Sequence, residues 1–344
     1  MAKPNKAIRV ISLLALLTGA GTTMSAEQTR FDWKASESAP VNFPMQIING
    51  TLGYRGDPNK AGLYVPSGGV ISHGWGLMRS SHNTGAALKP LPDKLDITFF
   101  SYLEDQFYRG QFDLPYDTIL RLFQQAEAGE KRKAGNGTEI PNDYMIIVGV
   151  APGGTVAVWM RNQGTKELFF GKAEKVEIDF TKAIDFPAAK RAEFVRKIIE
   201  SEMTPEVLAA IRQTGIPFQK WANYRTRYNW APTFAVSQPP KEIGMSFYMG
   251  EGGPFKFPLE DAFAATAKPV PKRIRFSYPI SGMVRHYYVY FDEAEILEAF
   301  TRLNTKQLPM QLEFDPKFPK DQTLVRLHNG KESIPLKKFA VKEK

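Results

Sequence analysis

The sequence predicts an α+β protein: two tandem, duplicated antiparallel-sheet-plus-helix domains joined by a helical linker. Three observations lead there. Residues 89–123 are echoed by residues 268–300: at a constant offset of 179, Lys89, Pro90, Pro92, Tyr108, Phe112 and Asp113 fall on Lys268, Pro269, Pro271, Tyr287, Phe291 and Asp292. Six identities in 25 ungapped pairs compare with roughly one or two expected from composition alone. Leu91/Val270, Lys94/Arg273, Leu95/Ile274, Thr98/Ser277 and Phe99/Tyr278 keep their character, and beyond a gap Ile119, Leu120 and Phe123 meet Ile296, Leu297 and Phe300. Second, each copy reads as two alternating runs that feed a helix. Third, one strongly helical tract lies between the copies. The implied division is a leader at 1–26, a first repeat at 27–182, a helical linker at 183–225 and a second repeat at 226–344.

The leader carries Lys3, Lys6 and Arg9 and no acid, then the apolar run 10–17 (VISLLALL) and small residues, the layout of a secretory signal peptide. Eight apolar residues are too few to span a bilayer, and no later run approaches the length that could. Cleavage is expected after Ala20, Ser25 or Ala26, releasing the chain to the periplasm. Leu17-Thr18-Gly19 also resembles the approach to a lipidated cysteine, but Ala20 has no thiol, so no lipid anchor is expected. Removing three bases takes the net charge from +9 to +6. The remaining Lys and Arg are scattered among acids, not gathered in the stripe that a nucleic-acid binder needs. The chain has no cysteine, which excludes disulfides, thiolate nucleophiles and cysteine-ligated metals.

The first repeat opens on Phe31 and Trp33 and the second on Tyr228 and Trp230. An i, i+2 spacing puts both rings of each pair on one side of a strand. Residues 45–48 and 244–249 read as first strands, and Asn49-Gly50 as a tight turn. Residues 54–87, rich in glycine and polar residues, read as a long irregular surface loop holding His73-Gly74-Trp75-Gly76, Arg79 and His82. Residues 250–267 are its shorter counterpart and hold Phe255 and Phe257. Paired strands follow at 94–101 and 106–113, and at 273–278 and 285–291. Asp292 with Glu295 three residues on reads as a capping box, while Asp113-Leu114-Pro115 starts the earlier helix with a proline in its first turn. Glu104-Asp105 falls at a hairpin tip, where solvated carboxylates are expected. Residues 125–142 read as a polar loop with a charge run at 130–133. Hairpins follow at 144–150 and 155–160, and again over 310–336 with Asn329-Gly330 as a turn. In the linker Pro187 opens a helix over 188–202, and Thr204-Pro205 starts a second that Gly215 ends.

Familiar catalytic patterns are absent: Gly-x-Ser-x-Gly, the phosphate-binding glycine–lysine loop, His-Glu-x-x-His and the calcium loop. Residues 149–154 (GVAPGG) lie between two strands and lack the helix N-terminus that a dinucleotide requires. The four histidines, His73, His82, His286 and His328, have no metal-ligand spacing, and no cofactor or metal is expected.

Residues 90–95 (PLPDKL), 107–110 (FYRG), 113–116 (DLPY) and 148–154 (VGVAPGG) through Trp159 resemble a bacterial envelope family of unknown function, mostly predicted lipoproteins. The resemblance spans about residues 70–180 and departs from the family at Ala20, where a lipoprotein would carry cysteine. The family is loosely similar to periplasmic immunity proteins of type VI secretion phospholipase effectors. That similarity implies an exported, non-enzymatic protein of two α+β domains that neutralises a secreted effector by covering its active site. His73, Trp75, Arg79, His82, Phe255 and Phe257, on the two glycine-rich loops, are the expected partner-binding residues, with Trp75 as the aromatic anchor. A lipid or glycan held between the two domains is the alternative, and a hydrolase using His73 and His82 a third reading.

Overall fold

Alternating runs become strands and the apolar stripes become helices largely where the pattern places them. The computed structural model describes residues 28–343, apart from 55, 57–61, 130, 132–135, 281–282, 305–307 and 318. The expected leader and most of the charge run at 130–133 lie outside the described residues. The first half comprises β1 (Arg30–Phe31), β2 (Trp33–Ser38), β3 (Met45–Tyr54), β4 (Leu63–Tyr64), β5 (Val70–Ile71), β6 (Lys89–Pro90), β7 (Pro92–Ser101), β8 (Gln106–Asp113), helix α1 (Tyr116–Ala128), β9 (Tyr144–Ala151), β10 (Thr155–Arg161), β11 (Thr165–Lys172) and β12 (Glu174–Val176). Four helices follow: α2 (Phe180–Ile184), α3 (Arg191–Glu202), α4 (Pro205–Thr214) and α5 (Lys220–Asn223). The second half comprises β13 (Arg227–Tyr228), β14 (Trp230–Phe234), β15 (Glu242–Phe247), β16 (Gly252–Lys256), α6 (Asp261–Ala264), β17 (Lys268–Pro269), β18 (Pro271–Ile280), β19 (Met283–Phe291), α7 (Glu293–Leu303), β20 (Met310–Asp315), β21 (Leu324–His328), β22 (Ser333–Leu336) and β23 (Phe339–Glu343). No described helix is long and apolar enough to cross a membrane.

Strands pair in the same order in both halves. β1 pairs with β6 and β13 with β17; β2 lies parallel to β9 and β14 to β20. The runs β9-β10-β11 and β20-β21-β22 follow, as do β3-β7-β8-β12 and β15-β18-β19-β23. The halves are nevertheless not two closed units. β11 meets β16 at Thr165 and Gly252, which joins sheets from both halves into one of nine strands. The largest apolar cluster crosses the same seam, drawing Phe43, Trp75, Met145 and Trp159 together with Trp221 of α5 and Met245, Met249 and Ile274. A shared core, to which the helical segment contributes Trp221 and Tyr224, therefore joins the halves.

The repeated residues occupy matching structural positions. Lys89 and Lys268 are both buried, and Trp33 and Trp230 each donate an indole N–H to the Lys-Pro strand, to Pro90 O at 3.0 Å and to Pro269 O at 3.1 Å. Tyr108 stacks on Phe99 at 5.4 Å and Tyr287 on Phe276 at 5.3 Å. Those stacks correct the ungapped pairing of Phe99 with Tyr278. Four residues separate Ser101 from its partner Gln106, but two separate Ile280 from Met283, so the strand before the turn slides by two. A slide of two keeps every side chain on its face.

Several expectations change for identifiable reasons. Asn49-Gly50 is not a turn; it lies inside β3, where a Cβ on Gly50 would stand 2.9 Å from the Val65 Cβ. The loop at 54–87 is partly pinned, since β4 and β5 both pair with β3. The counterpart loop holds strand β16, paired with β15. Polar 125–142 begins as the last turn of α1. Glu104 and Asp105 are not free in solvent: Glu104 accepts from Tyr108 Oη at 2.6 Å and Gly153 N at 2.9 Å, and Asp105 from Arg191 Nε at 2.7 Å. Asp292 does cap α7, accepting from Glu295 N at 2.9 Å, but Glu295 turns instead to Lys337 N and Lys338 N. α1 starts after Pro115 without any side-chain cap, because the N-cap position is held by Pro115, whose ring has no acceptor, while Asp113 ends β8 and pairs with Lys94 at 3.0 Å.

The seam carries a buried charge cluster. Glu167 on β11 accepts from Arg225 Nε at 2.7 Å, with its side chain 8% exposed, while Glu251 faces Arg227 at 3.3 Å and accepts from Glu167 N at 3.1 Å. Burial pushes the Glu167 carboxyl up to about 7, against the pull of Arg225. The folded chain then holds a proton that the unfolded chain has released, so this group's stabilisation falls as pH rises from about 4.5 to about 7. Glu167→Gln is expected to flatten that part of the pH profile, by on the order of 2–3 kcal/mol between pH 5 and pH 8. Urea midpoints of both proteins at the two pH values measure it; parallel profiles would mean that Glu167 titrates as an ordinary carboxyl.

Candidate functional site

Period two decides what β18 and β19 present on either side. Ile274, Phe276, Tyr287 and Val289 enter the shared core with Ile296 and Phe300 of α7. Arg273, Arg275, Ser277 and Pro279 take the other face, opposite Tyr290, Tyr288, His286 and Val284 in turn. In the first half the matching face is roofed. Phe100 and Phe107 are buried beneath Phe180 of α2 and Val195 of α3, and the Arg191 guanidinium lies 4.8 Å over the Phe180 ring. Past that roof Asp96 accepts from Arg109 at 3.3 Å and Gln111 at 2.7 Å, so the remaining charge is balanced. In the second half Arg275, Val284 and His286 stay exposed, and the register place of Asp96 is taken by Arg273.

The open face forms the floor of a cleft of about 540 Å³. Its walls come from the β10–β11 turn, from Trp75 and Leu77, and from β15 and β16, so residues of both halves line it. Arg161, Lys272, Arg273 and Arg275 are its cations, and Asp143 and Glu251 its carboxylates. Both carboxylates are already engaged, Asp143 with Lys34 at 3.0 Å and Glu251 with Arg227 at 3.3 Å. Arg273 donates to Ser246 Oγ at 3.1 Å and lies 5.7 Å over the Tyr290 ring, whose centroid also stands 5.3 Å from Lys342 Nζ. Arg275 reaches the exposed Glu242 at 3.3 Å. The arrangement offers forked cationic donors beside amphipathic rings, which suits an anion with an apolar or planar neighbour.

The six expected partner-binding residues do not converge. Trp75 is turned inward, 8% exposed, with its ring 4.8 Å from Trp159 and perpendicular to it. The glycines around it serve the same closure. Gly76 holds φ +74°, and a Cβ there would stand 2.5 Å from the Gly250 Cα. His73 is half-buried and its Nε2–H donates to Leu77 O at 2.8 Å. His82 is exposed and bonds Tyr64 Oη through Nδ1. Arg79 is exposed, its backbone N–H donating to Glu37 O at 3.1 Å. Phe255 stacks on Phe263 at 4.8 Å and Phe257 meets Phe234 edge-on at 5.2 Å, so both rings are spent within the second half. Of the six, Trp75 alone borders the cleft, as part of its wall. Among the described residues no three His, Asp or Glu side chains stand together as metal ligands. Of the GVAPGG stretch, 149–151 end β9 and 152–154 make the β9–β10 turn, with Gly153 at φ +73° and Gly154 at φ +75°.

Sequence reasoning missed Arg273, Arg275, Tyr288 and Tyr290. Their alternation was visible, but alternation alone does not say which polar face a distant helix will cover.

Comparison with known proteins gives one match. The model of the family described as "Protein of unknown function (DUF2931)" matches residues 20–219, covering the first half and the helices through α4. Neither the curated proteins nor the solved structures contain a match.

Proposed function

The chain belongs to the DUF2931 family of proteins of unknown function, and from that premise and the open cleft we propose that it is an exported, periplasmic binding protein that holds an anionic ligand between its two halves. The halves on this reading descend from a tandem duplication, which the shared pairing order supports. One copy of the sheet face became roofed by α2 and α3, and the other stayed free to bind. The observation that carries the proposal is the charge of that free face: Arg273 and Arg275 stand side by side on β18, where Asp96 balances Arg109 in the other copy. The reading asks no chemistry of the site. Binding would use donors and rings alone.

A secreted effector protein, neutralised by covering its active site, is the second reading. It is favoured by Leu77 and Val284, which stand 53% and 64% exposed at the cleft and its outer end. The loop anchors expected for it, Trp75, Phe255 and Phe257, are used in internal packing, so the contact would have to form over the β18–β19 face.

Arg273→Gln with Arg275→Gln tests the primary reading. Each arginine–anion contact is worth about 1.5–3 kcal/mol, so an anionic component of an envelope extract retained by the wild type should be held at least tenfold more weakly by the double variant. Equal retention by folded wild type and variant removes the cleft as the site.

A further inference from the structure

We propose that the ligand is a phosphate-bearing lipid, with its headgroup between Arg273 and Arg275 and its chain running out along β18 and β19 past Val284; this rests on the cleft being the binding site. The pairs along the open face grade from charge to grease. Arg273 faces Tyr290, Arg275 faces Tyr288, Ser277 faces His286, and Pro279 faces Val284. A second hollow of about 840 Å³ continues the cleft along this ladder. It shares Arg275 and Tyr288 with the cleft, and Pro239, Pro240, Pro279 and Val284 line it together with polar residues that include Lys241 and Glu242. One continuous trough thus runs from a cationic end at Arg273 and Arg275 to an apolar end at Pro279 and Val284.

The polar groups between the two ends do not demand a ligand of their own. Ser277 Oγ and His286 Nδ1 bond each other at 2.8 Å, so an acyl chain crossing them leaves neither stripped of a partner. From Arg275 to Pro279 the strand rises roughly 13 Å at about 3.3 Å per residue, a distance that a lipid chain spans and a free phosphate does not. A phosphodiester suits the arginine pair because a guanidinium fork meets two phosphate oxygens at once. Tyr288, opposite Arg275, lies where head passes into chain, the level at which amphipathic rings favour lipid. The carboxylate that the headgroup would displace is Glu242, whose exposed pair with Arg275 costs under about 1 kcal/mol to exchange for phosphate. Exposed Val284 at the open end is explained as well, since an apolar chain would cover it.

The full chain would be mixed with vesicles of phosphatidylcholine with and without phosphatidylglycerol, and the lipid carried away per protein counted by native mass spectrometry. One phosphatidylglycerol per chain is expected. Retention should fall at least tenfold in Arg273→Gln/Arg275→Gln and also in Val284→Asp, whose position is exposed and whose fold circular dichroism checks. Glycerol phosphate binding as tightly as the lipid, with Val284→Asp silent, would replace the lipid by a soluble phosphate and leave the cleft reading standing. Phosphatidylglycerol retained equally by the arginine variant would mean surface adsorption and overturn the proposal. Arginine-dependent binding of an acidic protein instead, with no lipid retained, would give the face to a protein partner. If no ligand distinguishes the variants from the wild type, both the lipid and the cleft reading fall.

Discussion

Trp159→Ala is expected to remove about 3–5 kcal/mol of stability, the range for truncating a fully buried large aromatic. Trp159 sits on β10 where the halves meet. Its indole N–H donates to Met249 O at 3.2 Å across the seam, and its ring stands 4.8 Å from Trp75. Gly149 and Gly250 approach so closely that a Cβ on either would fall within 3.0 Å of the indole. Glycine backbone rather than mobile side chain thus forms part of the socket, so little can collapse into the cavity left behind. Because the core is shared, both halves should loosen together. Urea unfolding measures the size, and hydrogen exchange resolved by peptide measures the reach. If peptides of β18, β19 and α7 kept wild-type protection while β9 and β10 lost theirs, the halves would be independent domains and the shared-core account would be wrong.

Lys268→Ala should cost about 2–4 kcal/mol, a large effect for a lysine. Lys268 is 1% exposed, and its ammonium donates to Phe263 O at 3.0 Å, Ala264 O at 3.0 Å and Thr266 O at 2.6 Å, closing the end of α6. Burial lowers its pKa, which shows the desolvation that these three bonds offset. Removing the ammonium takes a charged donor from three part-buried carbonyls, of which Phe263 O keeps another donor at the same turn, Thr266. Lys268→Met separates the two roles of the side chain, since methionine restores the stem but not the charge. Methionine should recover some packing and still unfold at clearly lower urea than the wild type. A methionine variant as stable as the wild type would reduce the lysine to a filler, and the Lys89/Lys268 identity would need another cause.

Much of the local structure was legible. The i, i+2 aromatics Phe31/Trp33 and Tyr228/Trp230 are core residues in strands, and both hairpin meanders lie where alternation and glycine turns placed them. The start of α4 at Pro205 and its end at Gly215, and the Asp292 cap of α7, were readable because each is settled within a few residues. The candidate site was less legible. His73-Gly74-Trp75-Gly76 has the composition of an exposed functional loop, yet its Gly76 lets backbone meet backbone at Gly250 and its tryptophan fills the core. Composition reports that a backbone position is unusual, not whether a ligand or another part of the chain approaches it.

The sequence by itself determined the alternation of β18 and β19, the α+β class and the echo of Lys89-Pro90 in Lys268-Pro269, since period, caps and turn residues act over neighbours in the chain. Only the tertiary structure decided that β11 would meet β16, that Trp75 and Trp159 would join the halves in one core, and that α2 and α3 would roof one sheet face while its counterpart with Arg273 and Arg275 stayed open. The physical reason is one of range. A strand's two faces follow from the geometry of successive residues, whereas the covering of a face depends on how well elements distant in sequence bury apolar area against it.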